Sequence, residues 1–148
     1  MALPDLTDRV GPRSLCPARC RALLAGMSWG HLAISQGALP VVVPVTYALE
    51  GEDLLFRASR GLVGRAALEH EVVAFGTGAL VGDGSWAWEV LVQGRAEPMG
   101  PAGCPGHRPP LFPLVGPELT VELRMSMDRL TGWQYGPAEE ETKEVAGA

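Results

Sequence analysis

Arg57, Ser59, Arg60 and Arg65 fall within nine residues and flank Gly61 and Gly64. An arginine is a fixed cation whose planar fork of donors matches phosphate oxygens. Glycines let the chain turn so that backbone amides at a helix start add partial positive charge. This combination suits a phosphate-bearing ligand. The turn closes a run of three alternating strands, GHLAISQGALPVVVPVTYALEGEDLLFRASRGLVGRAAL, over residues 30–68. An anion would therefore sit where a sheet ends and a short helix begins.

Other chemistries lack their constellations. Cys16, Cys20 and Cys104 are odd in number, and His31, His70 and His107 have no ligand spacing to them, so neither a disulfide framework nor a metal site is expected. Nothing near His31 forms a Ser/His/Asp or Cys/His set, so it reads as a structural or surface histidine and no catalytic residue is assigned. Trp86, Trp88 and Trp133 offer large apolar faces on which a planar ligand can stack, although Trp88 reads as core.

The elements that must position these residues are those of one small domain. The chain has 148 residues and a net charge of -5, with no net positive field to displace the counterions of a nucleic acid. No apolar run approaches the roughly 20 residues that cross a bilayer, and the first residues have no signal-peptide pattern. A cytoplasmic protein with no nucleic-acid or membrane partner is expected.

Cys20, Leu23, Leu24 and Met27 follow the spacing of an amphipathic helix, with Ser14 as its expected N-cap and Pro17 in its first turn. Short β runs follow: HLAIS, VVVPVTYAL and LLFRA. In the second run Val41, Val43, Val45 and Tyr47 share one face and Val42, Pro44, Thr46 and Ala48 the other, so cover is expected on both sides. Pro44, without an amide proton, places this strand at an edge, a bulge or a ladder gap. Residues 62–69 make about two helical turns. Then come EVVAFGT, a glycine-rich turn GALVGDGS, and a long strand in which Trp86, Trp88, Val90 and Val92 alternate with Ala87, Glu89, Leu91, Gln93 and Arg95. Residues 99–117 are dense in Pro and Gly and read as an extended connector; TVELRMSM is the last strand. Six strands, a leading helix and a short internal helix make a mainly β, antiparallel barrel with helical caps. Residues 1–14 are an N-terminal extension, residues 15–136 the domain, and residues 137–148 an acidic tail expected to be disordered.

The order and spacing of CRALLAGMSWGHLAIS, PVVVPVTYALEGEDLLFRAS, EVVAFGT, WAWEVLVQGRAEPM and LTVELRMSMDRLTGWQYG resemble the pyridoxamine 5'-phosphate oxidase-like proteins, over most of residues 15–136. The resemblance implies a six-stranded split barrel of the FMN-binding type, a homodimer, and a cofactor groove between subunits. It implies that the backbone of Val42, Val43, Pro44, Val45, Thr46 and Tyr47 runs along the flavin ring. It places Arg57, Ala58, Ser59 and Gly61 at the cofactor phosphate, and Trp133 at the cofactor edge. Where the family has Ser or Thr followed by Lys, this chain has Leu62 and Val63. The phosphate is then left to Arg65, through a one-residue shift, or to Arg60. The implied function is an FMN-dependent oxidoreductase acting on a small organic substrate. The alternatives are a deazaflavin-dependent reductase and a non-catalytic dimer that binds flavin, haem or a small metabolite. Glu89 and Arg95 either line the groove or pair across the dimer.

Overall fold

A computed structural model describes residues 12–99 and 120–136 of the chain. The elements run β1 (Arg13–Ser14), α1 (Pro17–Ala25), β2 (Trp29–Gln36), β3 (Leu39–Glu50), β4 (Asp53–Ser59), α2 (Leu62–Leu68), β5 (Val72–Val81), β6 (Trp86–Pro98), β7 (Thr120–Ser126) and β8 (Arg129–Tyr135). The expected connector and acidic tail lie outside the described residues.

The six strands read from the sequence, β2 to β7, close on themselves in the order β6-β5-β2-β3-β4-β7, because β7 also pairs with β6. All of these pairings are antiparallel. The ring is split along β6. One edge of β6 pairs with β5 over Trp86 to Arg95. The other edge serves β8 over Ala87 to Gln93 and then β7 over Ala96 to Pro98. Gly94 sits at that handover, where a Cβ would lie 1.8 Å from the Ser126 carbonyl oxygen, so only glycine lets the strands pass.

Alternation puts Leu32, Ile34, Val45, Tyr47, Leu54, Phe56, Phe75, Val90, Val92, Leu123 and Met125 inside the ring. Tyr47, Phe56 and Phe75 form its aromatic centre, with ring centroids 4.8 to 6.5 Å apart. Full burial of each such side chain contributes roughly 1.5–3 kcal/mol. Helix α1 adds Cys20 and Leu24, and α2 adds Val63, Ala66 and Ala67. Trp88 is core, as expected, at 8% exposure.

The structure corrects several element boundaries. Ser14 is not a helix cap. It lies extended in β1, paired with Trp133, and Cys16 is the N-cap ahead of Pro17, whose fixed φ suits the first helical position. The glycine-rich turn is shorter than expected, since β5 continues through Gly78 to Val81 opposite Trp86 and the turn takes only residues 82–85. The LTGWQYG segment is a strand, β8, rather than a coda to β7. Its inward positions are Leu130, Gly132 and Gln134, an alternation without an apolar signature. Gly132 is required there because a Cβ would come within 2.5 Å of the Cys20 Sγ.

Candidate functional site

Strand β3 changes neighbours halfway along. Leu39 to Thr46 pair with β2, and Thr46 to Glu50 pair with β4. On the side away from β2, residues 39–45 therefore have no strand partner among the described residues. Pro44 falls in this half, where its missing amide proton breaks no ladder on that side. An unpaired strand edge is a row of backbone donors and acceptors available to a ligand.

Beside this edge, the outward faces of β2, β5, β6 and β8 form an open groove of about 820 Å³, in the range of small-molecule sites. Val42 of β3 contributes to it, together with His31, Leu80, Ala87, Leu91 and Tyr135. The cross-strand register explains the grouping. His31 is level with Gly76, Gly76 with Leu91, Leu80 with Ala87, and Ala87 with Tyr135. Gly76 and Gly78 present no side chain to the groove, so the β5 backbone is its floor. Trp29 leans edge-on against His31, with centroids 5.4 Å apart. On the opposite wall the Tyr135 hydroxyl donates to Glu89 Oε1 at 2.8 Å, and this bond to a carboxylate holds the phenol above its usual pKa range. A recess of about 80 Å³ bounded by Met27, Trp29 and Thr77 adjoins the groove at His31 and Gly78.

The residues singled out in the sequence are distributed over three places. Val42 lines the groove, Pro44 is exposed on the same face, and Trp133 stands beside it, level with Glu89 and 39% exposed. Val43 is half-buried. Val45 and Tyr47 turn inward, and the buried Tyr47 hydroxyl donates to the Leu24 carbonyl oxygen. Thr46 is buried between β2 and β4, with its hydroxyl on the Arg57 carbonyl oxygen at 3.5 Å. None of these three side chains lines the groove. Ala58 is core, Ser59 ends β4 opposite Thr120, and Gly61 caps α2 with φ +95°.

The arginines do not converge. Arg57 holds Glu122 through Nη2 at 2.7 Å and Nε at 3.2 Å, in a half-buried pair. Arg65 holds Glu69 at 2.7 Å and Glu71 at 2.6 Å and reaches the Ser35 carbonyl oxygen. These bonds raise the guanidinium pKa further and hold Glu71 below the usual carboxylate range. Thr46 is level with Arg57, whereas Ser35 is level with Pro40, so the two guanidiniums serve different parts of β3. Arg60 is exposed. Val63, at the position where the resemblance expects lysine, is 2% exposed and belongs to the core. No group of three or more His, Cys, Asp or Glu side chains among the described residues is placed to hold a metal ion.

Ala87, Glu89 and Leu91 carry a signal in the sequence, since they are the wetter side of the β6 alternation. Tyr135 does not, because the inward positions beside it, Gly132 and Gln134, carry no apolar signal that marks the segment as a strand.

A ring of six antiparallel strands split along one of them, with helical caps, defines the split-barrel class. A family profile described as pyridoxamine 5'-phosphate oxidase matches residues 17–103, more than half of the chain, and the protein belongs to that family. A FAD-binding protein from Mesorhizobium loti superposes with a TM-score of 0.68 at 20% identity, covering 86% of this chain and 98% of its own. A FAD-binding protein from Mycobacterium smegmatis gives 0.63 at 20% identity, over 84% of this chain and 98% of its own. A FAD- and haem-binding protein from the same organism gives 0.63 at 17% identity, over 92% of this chain and 80% of its own. At these identities the likeness is one of fold. None of the curated proteins matches the chain.

Proposed function

We propose that the protein binds a flavin and acts as a flavin-dependent oxidoreductase on a small organic substrate, as a cytoplasmic homodimer whose second copy roofs the groove. The observation that carries this reading is the apolar groove lying beside the 39–45 edge of β3, which has no strand partner among the described residues on the side away from β2. A flavin ring needs flat apolar contact and backbone partners for its heteroatoms, and Val42, Leu80 and Leu91 with the 39–45 edge offer both. The phosphate end is less well provided. Arg57 would have to share its guanidinium with Glu122, or Arg60 would have to reach in. We take FMN as the cofactor, with FAD and a deazaflavin as the other members of the same test.

When bound, a flavin supplies hydride and electron transfer, and the protein binds it, orients it and excludes water. In this chain the β3 edge would orient the ring, the walls together with the second copy would exclude water, and the Tyr135–Glu89 pair would hold a proton at the phenol oxygen.

The carboxylate pairing of Arg57 and Arg65 favours a second reading, in which affinity resides in the ring and the dimer holds a flavin, haem or other flat metabolite without turnover. The absorbance spectrum of the purified protein, followed by titration with FMN, FAD and a deazaflavin, tests both. Micromolar binding of any of the three, with consumption of a nicotinamide reductant, supports the oxidoreductase. Binding without consumption supports the second reading, and binding of none of them rejects the proposal.

A further inference from the structure

We propose that Glu89, oriented by Tyr135, makes the groove selective for small ligands that carry a cationic nitrogen on a flat ring. The inference rests on the reading of the groove as a ligand site. Glu89 is the one formally charged residue in the lining, which contains no lysine or arginine. A ring substituent that is anionic meets repulsion beside Glu89, and a cationic one meets a complementary charge, whereas a phosphate held away from Glu89 at the far end of a ligand is not opposed in this way. Tyr135 donates to Oε1 at 2.8 Å and leaves Oε2 as an acceptor with no hydrogen-bond partner among the described residues. A phenol is protonated at neutral pH, so Tyr135 is a donor there, and its bond orients the carboxylate before a ligand arrives.

The opposite wall fits the same ligand. Trp29 and His31 stand on β2, Glu89 and Leu91 on β6, and between them β5 offers Gly78 at the level of Glu89. Adjacent strands are about 4.8 Å apart, so the two walls rise from backbones roughly 9.6 Å apart, which leaves a slot the thickness of one ring. A cation held there is attracted by the Glu89 carboxylate, with His31 on the other side of the groove and Trp29 in the adjoining recess.

The test uses the full-length protein, with and without saturating FMN, and two isosteric probes, benzamidine and the neutral benzamide, followed by tryptophan fluorescence. The wild type is expected to bind benzamidine at least fivefold more tightly than benzamide. Glu89→Gln should abolish the preference, and Tyr135→Phe should weaken benzamidine several-fold while leaving benzamide unchanged. Both side chains are exposed, so unchanged melting temperatures verify the variants. Equal affinities in the wild type, binding of neither probe, or a preference that survives in Glu89→Gln overturns the inference. So does a Glu89→Gln variant that loses only dimer stability, since Glu89 would then be an interface residue. FMN titration of the same samples separates the two readings. Flavin binding without cation preference removes this inference alone, and cation preference without flavin binding removes the flavin alone.

Discussion

Tyr47 lies beneath Phe56 and Phe75, and its hydroxyl donates to the Leu24 carbonyl oxygen at 2.5 Å, tying β3 to the end of α1. Tyr47→Phe keeps the ring and leaves that carbonyl without its partner, at a cost of about 1–2 kcal/mol. Burial also pushes the Tyr47 pKa up. A folded-state pKa above the unfolded one contributes stability that is complete below the unfolded value, near 10, and is lost as pH rises above it, by at most ~1.4 kcal/mol per pH unit. Urea midpoints measured from pH 8 to 11 should therefore fall above pH 10 in the wild type, and Tyr47→Phe should remove most of that fall. Val63 makes a second test at this scale. Its side chain is core, so Val63→Lys buries an ammonium rather than supplying a phosphate ligand, and should destabilise by more than ~2 kcal/mol. Unchanged stability with improved FMN affinity would show that α2 rotates in solution. For the arginines the useful contrast is between FMN and riboflavin, which lacks the phosphate. If Arg57 holds phosphate, Arg57→Ala should weaken FMN at least tenfold and riboflavin hardly at all, whereas equal losses would assign Arg57 to holding Glu122 and β7.

At the scale of elements, β6 decides the architecture by serving β5 on one edge and first β8, then β7, on the other. Gly94→Ala places a methyl on the Ser126 carbonyl and should cost more than ~2 kcal/mol, read as a lowered melting temperature. A neutral result would mean that β7 docks on β6 less closely than described. Strands with apolar alternation, such as the β6 run from Trp86 to Val92, are legible in the sequence because burial selects their side chains. Strand β8 is not, since glycine and glutamine occupy the inward positions and its place is set by the approach to Cys20 and Glu89. The same limit explains the site. Glu89 is readable as the wetter side of its strand, whereas Val42 lies on a strand apolar on both faces, for which cover on both sides is expected, and their meeting with His31 and Tyr135 depends on which strands become neighbours. Arg57 and Arg65 look like a pair in sequence and become separate because Glu122 and Glu71, distant in the chain from Arg57 or across a turn from Arg65, claim them.

At the scale of the whole molecule, six of the nine large apolar side chains exposed among the described residues belong to the groove side, the other three being Leu39, Leu68 and Val72. Trp29, Val42, Leu80, Leu91, Trp133 and Tyr135 are between 37% and 78% exposed, and all lie on the outward faces of the strands that form the groove or border it. Monomers seldom expose contiguous apolar patches beyond a few hundred Å², and a stable homodimer buries on the order of 800 Å² per partner. Two copies joined by this face would cover the patch and leave the groove as a shared cleft, since a two-fold interface presents the same surface from both sides. Light scattering at low micromolar concentration should give twice the chain mass. Leu80, 78% exposed and level with Ala87, is the position at which a charge harms the isolated fold least and the interface most. Leu80→Glu should shift the protein to the single-chain mass without loss of β structure by circular dichroism. If the wild type has the single-chain mass throughout the micromolar range, or Leu80→Glu remains dimeric, this face is not the interface and the groove binds its ligand as an open surface of one copy.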